Sequence, residues 1–223
     1  MEKVLIATNN SGKVKELKEL LGNLPIELVS LNEVAPGFEV EETGKTFKEN
    51  AILKARECAE RVGLLTIADD SGLEVDALDG NPGVYSARFL GDVAQEEKNQ
   101  KILEMMRNIP EKKRTARFKV AIAIASPSGH VRTVEGAMEG RIAFESRGAN
   151  NFGYDPIFIP HLSPIAHPRQ DKNLSAKNAG QVPKGFTKTN AELTIEEKNK
   201  ISHRGKALKK AIKILKGIIY AGY

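Results

Sequence analysis

Hydrophobic positions along the chain follow two periodicities, and their alternation predicts an α/β protein. Lys3 to Thr8 is a short β-rich run that ends in the turn Thr8-Asn9-Asn10-Ser11-Gly12-Lys13. Val14, Leu17 and Leu21 then recur at helical spacing, so a strand–turn–helix unit is expected, with Asn10 or Ser11 as the cap. Glu27 to Leu31 reads as a second strand. Pro36-Gly37 and Glu41-Glu42-Thr43-Gly44 mark a loop. Lys45 to Val62 places Phe47, Ala51, Ala55, Ala59 and Val62 on one helical face, and Gly63 follows where a C-terminal glycine belongs. Leu64 to Ala68 is an apolar strand that ends at Asp69-Asp70-Ser71-Gly72.

After the turn Asp79 to Gly83, the pattern predicts a helix over Ala94 to Asn108 and a buried strand over Arg117 to Ala125. Ser126-Pro127-Ser128-Gly129 is a hairpin turn into a strand over His130 to Gly136. Ile142 and Phe144 suggest another short strand, and Phe152-Gly153-Tyr154-Asp155-Pro156 leads into a strand at Ile157 to Ile159. Ile195 to Leu215 is helical, interrupted near Ser202-His203-Arg204-Gly205. Early alternation followed by clustered strands implies a mixed, twisted sheet with helices on its faces. His161 to Pro183 breaks the rhythm. Its prolines and lack of period read as a long loop or insertion.

Composition narrows this picture. A chain of 223 residues suits one α/β domain, or one domain with two lobes. No apolar run approaches the roughly 18 residues of a membrane span. The N-terminus reads as a strand and lacks the layout of a signal peptide, so a cytosolic protein without a membrane partner is expected. The single cysteine, Cys58, can form no internal disulfide and is expected to be a buried thiol. The net charge of +5 raises the question of a nucleic-acid partner. Acidic and basic residues are interleaved, however, and only 5% of residues are aromatic. An anionic small substrate matches this balance as well, and no nucleic acid is expected.

Several places then suggest chemistry. Thr8 to Lys13 sits between a strand and a helix N-terminus, where free N–H groups and the helix dipole attract anions. The spacing is not that of a Walker A loop, and an ordinary capped helix start would look the same. Asp69 and Asp70 stand at the end of a strand, the edge at which open α/β sheets bind ligands. Adjacent carboxylates are costly without a compensating cation, and Mg²⁺ uses one or two carboxylates plus substrate phosphates. A solvated turn with an aspartate cap is the alternative. Glu41 and Glu42 add carboxylates, and Lys54 lies on the Asn50 side of the second long helix. His203 could switch charge or read a base edge, and Arg204 could hold a phosphate. Phe152, Tyr154 and Phe158 could stack on a base or fill the core. His130, His161 and His167 form no ligand pattern.

Taken together, the motifs resemble the inosine triphosphate pyrophosphatase family, the XTP/dITP diphosphatases. Those that carry the likeness are Thr8 to Lys13, Glu41-Glu42-Thr43-Gly44, Glu49 to Ala55, Ala68 to Leu73, Gly83 to Arg88, Phe152 to Pro156, Glu196-Glu197-Lys198 and Ser202-His203-Arg204. They stand in the family's order and cover nearly the whole chain. The resemblance implies hydrolysis of non-standard purine triphosphates (dITP, ITP, XTP) to the monophosphate and pyrophosphate, with Mg²⁺. It implies Asp70 as general base and metal ligand and Glu41 as second metal ligand, with Glu42 close behind. It implies that Thr8, Asn9, Asn10, Ser11, Gly12, Lys13, Lys54 and Ser71 bind triphosphate and sugar. Phe152, Gly153, Tyr154, Asp155, Lys198, His203 and Arg204 would form the base pocket. The implied fold is an elongated mixed sheet between two lobes with a central cleft, in a homodimer. His161 to Pro183 departs from the family pattern, which passes almost directly from Pro160 to Lys184. The nearest competing reading is a Maf-like pyrophosphatase of similar fold with a different base preference. The Ser-His-Arg and Phe-Gly-Tyr-Asp segments argue against it. A non-catalytic nucleic-acid-binding module is a remoter one.

Overall fold

The first hydrophobic run forms strand β1 (Glu2–Ile6), whose Val4, Leu5 and Ile6 are fully buried in a computed structural model of the chain. That structure describes residues 2–22, 24–150, 152–161 and 187–221. Helix α1 (Ser11–Leu21) follows at once, capped by the Asn10 side chain, which accepts from the Lys13 N–H at 3.1 Å. The chain returns as β2 (Ile26–Ser30), parallel to β1. The sequence expects this strand to continue to Leu31. Instead the Ser30–Glu33 capping box starts a short helix, α2 (Leu31–Val34).

Helix α3 (Phe47–Val62) is capped by Thr46 and ends on left-handed Gly63 (φ 72°). It carries the chain back across β1 to β3 (Leu65–Val75), which pairs with β1 in parallel through Leu65 to Ile67. The crossover from β1 through α1 therefore runs outward to β2, and the one from β2 through α3 returns over the opposite face to β3, so the C-terminal ends of β1 and β3 flank a topological switch point. Helix α4 (Gln95–Met105) is followed by three antiparallel strands: β4 (Thr115–Ala125), β5 (Val131–Ile142) and β6 (Phe158–Pro160). Helices α5 (Ile195–Ile201) and α6 (His203–Ala221) close the chain, broken at Ser202 where the sequence expects the interruption. The sheet order is β2-β1-β3-β4-β5-β6, mixed and flanked by helices.

Two strands are longer than the pattern suggests. β3 runs straight through Asp69-Asp70-Ser71-Gly72, which therefore form no turn. β4 supplies the reason: its register covers Thr66 to Val75 without a break, so the polar residues stay in the ladder. β5 likewise passes through Gly136, where the sequence ends a strand. The glycine is there because a Cβ would run into the His203 carbonyl at the start of α6. At about 3.3 Å per residue, β3, β4 and β5 each span roughly 35–40 Å, which makes the sheet elongated.

Side chains alternate along β3 and feed separate cores. Leu65 and Ile67 join α1 and α6 in one cluster, and Ala68 joins α3 on the opposite face. Leu73 and Val75 enter a third cluster with Ile102, Phe118, Tyr154 and Phe158 at the far end of the sheet. The sheet thus links two lobes, and the residues between them, Asp69 to Ser71, are polar. Cys58 is a buried free thiol, as expected. Among the described residues no helix is long and apolar enough to cross a membrane. The expected insertion lies outside the described residues apart from His161, whose N–H donates to the Glu139 carbonyl at 2.8 Å.

Candidate active site

β1 ends at Ile6, and its last link to β3 is the Ala7 N–H on the Ile67 carbonyl at 2.8 Å. Beyond that point β3 has lost its parallel neighbour, and the next residues along it are Asp69 and Asp70. Neighbours in a strand face opposite ways. The pair is therefore two separate sites rather than one acidic cluster.

Asp69 faces α1 and α6. It is 1% exposed, and its Oδ2 receives Lys13 Nζ at 3.2 Å, Arg204 Nη2 at 3.2 Å and Arg204 Nε at 3.3 Å. Arg204 Nη2 also donates to Ser71 Oγ at 3.1 Å. Asp70 faces α3. Its Oδ2 accepts from Asn50 Nδ2 at 3.1 Å, and its Oδ1 lies 3.5 Å from Lys54 Nζ. The same ammonium sits 2.6 Å from Glu42 Oε1. Arg88 holds the other side of Glu42, with Nη1 3.3 Å from Oε2 and Nη2 3.2 Å from the backbone carbonyl.

These surroundings drive the two aspartates apart electrostatically. Burial raises a carboxyl pKa and a neighbouring cation lowers it. At Asp69 burial is the largest influence, yet Lys13, Arg204 and Lys54 together outweigh it and hold the carboxyl well below the usual range. At Asp70 burial wins. Lys54 opposes it, but Glu42 adds repulsion, and the pKa is raised. Lys54 is pushed up despite its own burial, by Asp70, Asp69 and Glu42. Lys13 is pulled down by burial, against the attraction of Asp69. Two carboxylates whose environments separate their proton affinities mark a division of labour. Asp69 is a fixed anion, and Asp70 is the one poised to exchange a proton.

The turn Thr8 to Lys13 lies beside this centre. Thr8 Oγ1 accepts from the Asn10 N–H at 3.2 Å, and Asn9 Nδ2 donates to the Phe38 carbonyl at 3.3 Å. The turn therefore has a fixed shape, and the first-turn N–H groups of α1 have no intrahelical acceptor. Of Ser11 only the backbone, the first residue of α1, is described. Gly12 is needed for closeness: a Cβ there would stand 2.9 Å from Phe152 Cε2. That contact brings the Phe152 segment onto the turn.

On the other side, Asp155 is 3% exposed and binds Lys198 Nζ at 2.5 Å and Asn190 Nδ2 at 3.1 Å. Lys198 also stands 4.8 Å from the centre of the Phe152 ring. A cavity of about 280 Å³ opens here, lined by Gly12, Lys15, Phe152, Ile195, Lys198 and Asn199. His203 stacks on Phe118, with centroids 5.1 Å apart and planes at 11°. Burial, with the charges of Arg204 and Lys198, holds its pKa well below that of a free imidazole. It reads its surroundings as a neutral ring and does not switch charge near neutrality.

The structure brings most of the expected residues together and moves three. Glu41 is exposed and its carboxylate makes no polar contact among the described residues, whereas Glu42 joins Lys54 and Asp70. Backbone alternation through Glu41-Glu42 decides which one turns inward. Tyr154 and Phe158 are core residues, leaving Phe152, 36% exposed, as the aromatic that can meet a base. Tyr154 instead ties its segment down through a 2.8 Å bond to the Ser86 carbonyl, and Gly153 accepts from Asn99 at 3.1 Å. Sequence reasoning assigned no role to Asn50, Ser86, Arg88, Asn99 or Asn190. Asn50 carried a readable signal, a polar residue on the same helical face as Phe47 and Ala51. Arg88 carried none, because its partner lies 46 positions away.

A hard cation would find suitable donors here. Glu42 and Asp70 already converge on one positive charge, the Lys54 ammonium, and carboxylate oxygen is the ligand type such cations take.

Comparison with known proteins places this arrangement. A curated relative from Desulforamulus reducens, a "dITP/XTP pyrophosphatase", is 50% identical over 215 residues, covering 96% of this chain and 95% of its own. One of the same name from Bacillus subtilis is 47% identical, with 96% and 98% covered. Among solved structures, a HAM1 protein from Coxiella burnetii superposes with a TM-score of 0.79 at 39% identity, covering 97% of this chain and 99% of that one. The Ham1 protein of Staphylococcus aureus gives 0.78 at 37% identity, with 97% and 99% covered. The Ham1 family model matches residues 4–214, from β1 through most of α6, and so takes in both aspartate environments, the turn and the Phe152 segment in one alignment; the chain belongs to the Ham1 family.

Proposed function

We propose that this protein hydrolyses non-standard purine nucleoside triphosphates, dITP, XTP and ITP, to the monophosphate and pyrophosphate. One observation carries the reading: a poised carboxyl, Asp70, stands on the switch-point strand beside an anion-binding turn, and the Phe152 ring leans on that turn. The names of the relatives agree with it.

In this reading the turn from Thr8 to Lys13 holds the triphosphate, aided by Lys54 and Ser71. Asp70 takes the proton from the attacking water at the α-phosphate. Asn50 fixes the carboxyl so that Oδ1 faces Lys54 and the substrate. Asp70 and Glu42 would hold Mg²⁺, which would supply charge neutralisation on the phosphates. Phe152 covers one face of the base, and Lys198, Asp155, His203 and Arg204 frame its edge. Neutral His203 favours a 6-keto purine through hydrogen bonding rather than charge. The protein acts in the cytoplasm as a homodimer and binds no nucleic acid.

The test is a panel of ITP, XTP, dITP, ATP and GTP with Mg²⁺ and identification of the products. ITP is expected to give IMP and pyrophosphate. IDP and orthophosphate as main products, or equal kcat/KM for ITP and ATP, would overturn the reading.

A further inference from the structure

The proposed chemistry leaves Asp69 without a task, although it is the most completely buried carboxylate of the site. It cannot share the work of Asp70. It points to the opposite face of β3, away from Lys54 and Glu42, and two cations occupy one of its oxygens. Those cations come from separate elements. Lys13 lies in the first turn of α1, and Arg204 is the second residue of α6. Both helices pack on the same face of the sheet, in the core cluster of Leu17, Ile67 and Leu208. Their N-terminal ends therefore meet over β3, and Asp69 is the group between them.

We propose that Asp69 is the positioning residue that joins the two ends of the nucleotide site, holding Lys13 for the phosphates and Arg204 for the base from a single oxygen. This rests on the function proposed above, which assigns the two cations to those ends. The geometry shows how it works. Lys13 is a flexible point charge and one ion pair fixes its ammonium. Arg204 is a planar fork, and Nε and Nη2 on Asp69 together with Nη2 on Ser71 Oγ set the plane of its guanidinium. Without the carboxylate, two buried like charges would face each other, and each helix start would lose its stop. A structural ion pair alone would lower stability. A positioning residue must also weaken both ends of the ligand together.

The test uses the full chain, with IMP and pyrophosphate as separate probes in calorimetry, and steady-state kinetics on ITP. D69N is expected to weaken both probes by roughly thirtyfold or more, the scale for removing one partner of a buried charge pair. KM for ITP should rise more than kcat falls. K13M should weaken pyrophosphate chiefly, and R204M should weaken IMP chiefly. If D69N does not fold, D69N/K13M restores the charge balance, and its IMP affinity should still be reduced. Wild-type IMP affinity in D69N, or in the double variant where the single one fails, overturns the proposal. So does a kcat loss at unchanged KM. A wild-type protein that cleaves no ITP would instead sink the functional reading.

Discussion

At the scale of single residues, the site shows how position on a strand sets proton affinity. Asp69 and Asp70 are chemically identical, and one residue of register gives one of them two cations and the other a shared lysine and a neighbouring glutamate. If Asp70 is the base, Asp70→Asn should lower kcat for ITP by about 10²–10⁴-fold, the usual size of a lost general base. Its melting temperature should stay near that of the wild type, because Asn can keep the bond from Asn50. A variant with more than about a tenth of wild-type kcat would end the assignment. His203 gives a prediction in pH. Its folded pKa lies well below the unfolded value of about 6.5, so the unfolded chain binds the extra proton first. The stability tied to neutral His203 is complete above that value and is lost as pH falls through it. The melting temperature of the wild type should fall between pH 7 and pH 5, and His203→Gln should show a shallower fall. Identical slopes would mean that His203 titrates normally.

At the scale of elements, the site depends on helix starts being pressed against strands without side chains in between. Gly136 on β5 is the clearest case, since a Cβ there meets the His203 carbonyl backbone and Ala207. Backbone cannot swing aside as a flexible side chain can. Gly136→Ala should therefore cost about 1–3 kcal/mol, the range for overpacking, and should displace the start of α6 with His203 and Arg204. Expected readouts are a lower melting temperature and a weaker preference for ITP over ATP. Unchanged selectivity would show that α6 tolerates the shift. The same glycine shows where sequence reading reaches its limit. It signalled a break in a strand, and only the neighbouring helix reveals that it permits close approach. Helices α1 and α3 were legible because their apolar stripes and caps are local. The extension of β3 through Asp69 and Asp70 was not, because β4, more than forty residues later, holds those residues in the ladder. The inward turn of Glu42 rather than Glu41 was likewise hidden, because its partners Lys54 and Arg88 are linked to it by no local pattern.

At the scale of the whole molecule, the elongated sheet carries separate cores along its length. The core of α1 and α6 and the core around Phe118 and Phe158 lie on either side of the polar stretch Asp69 to Ser71. A nucleotide in the proposed pose would lie across that stretch. Its phosphates would rest on the first lobe and its base on Phe152 and Lys198, whose segments pack against the second. Ligands that bind only the folded state stabilise it by RT ln(1 + [L]/Kd), about 2.7 kcal/mol at one hundred times Kd. For a chain of this size, each kcal/mol moves the melting temperature by roughly 2–4 °C. With Asp70→Asn, which should bind ITP without consuming it, a shift of about 5–10 °C is expected at that saturation. Matching a ligand that spans both lobes against one that reaches a single lobe tests the geometry. At equal concentration, tripolyphosphate and inosine should each give a smaller shift than ITP, and the sum of their separate binding free energies should fall short of that of ITP. Joining two fragments removes one loss of translational and rotational freedom, so a bridging ligand exceeds the sum of its parts. If tripolyphosphate alone reproduces the full shift seen with ITP, the base makes no stabilising contact with the second lobe, and the pose across Asp69 to Ser71 is wrong.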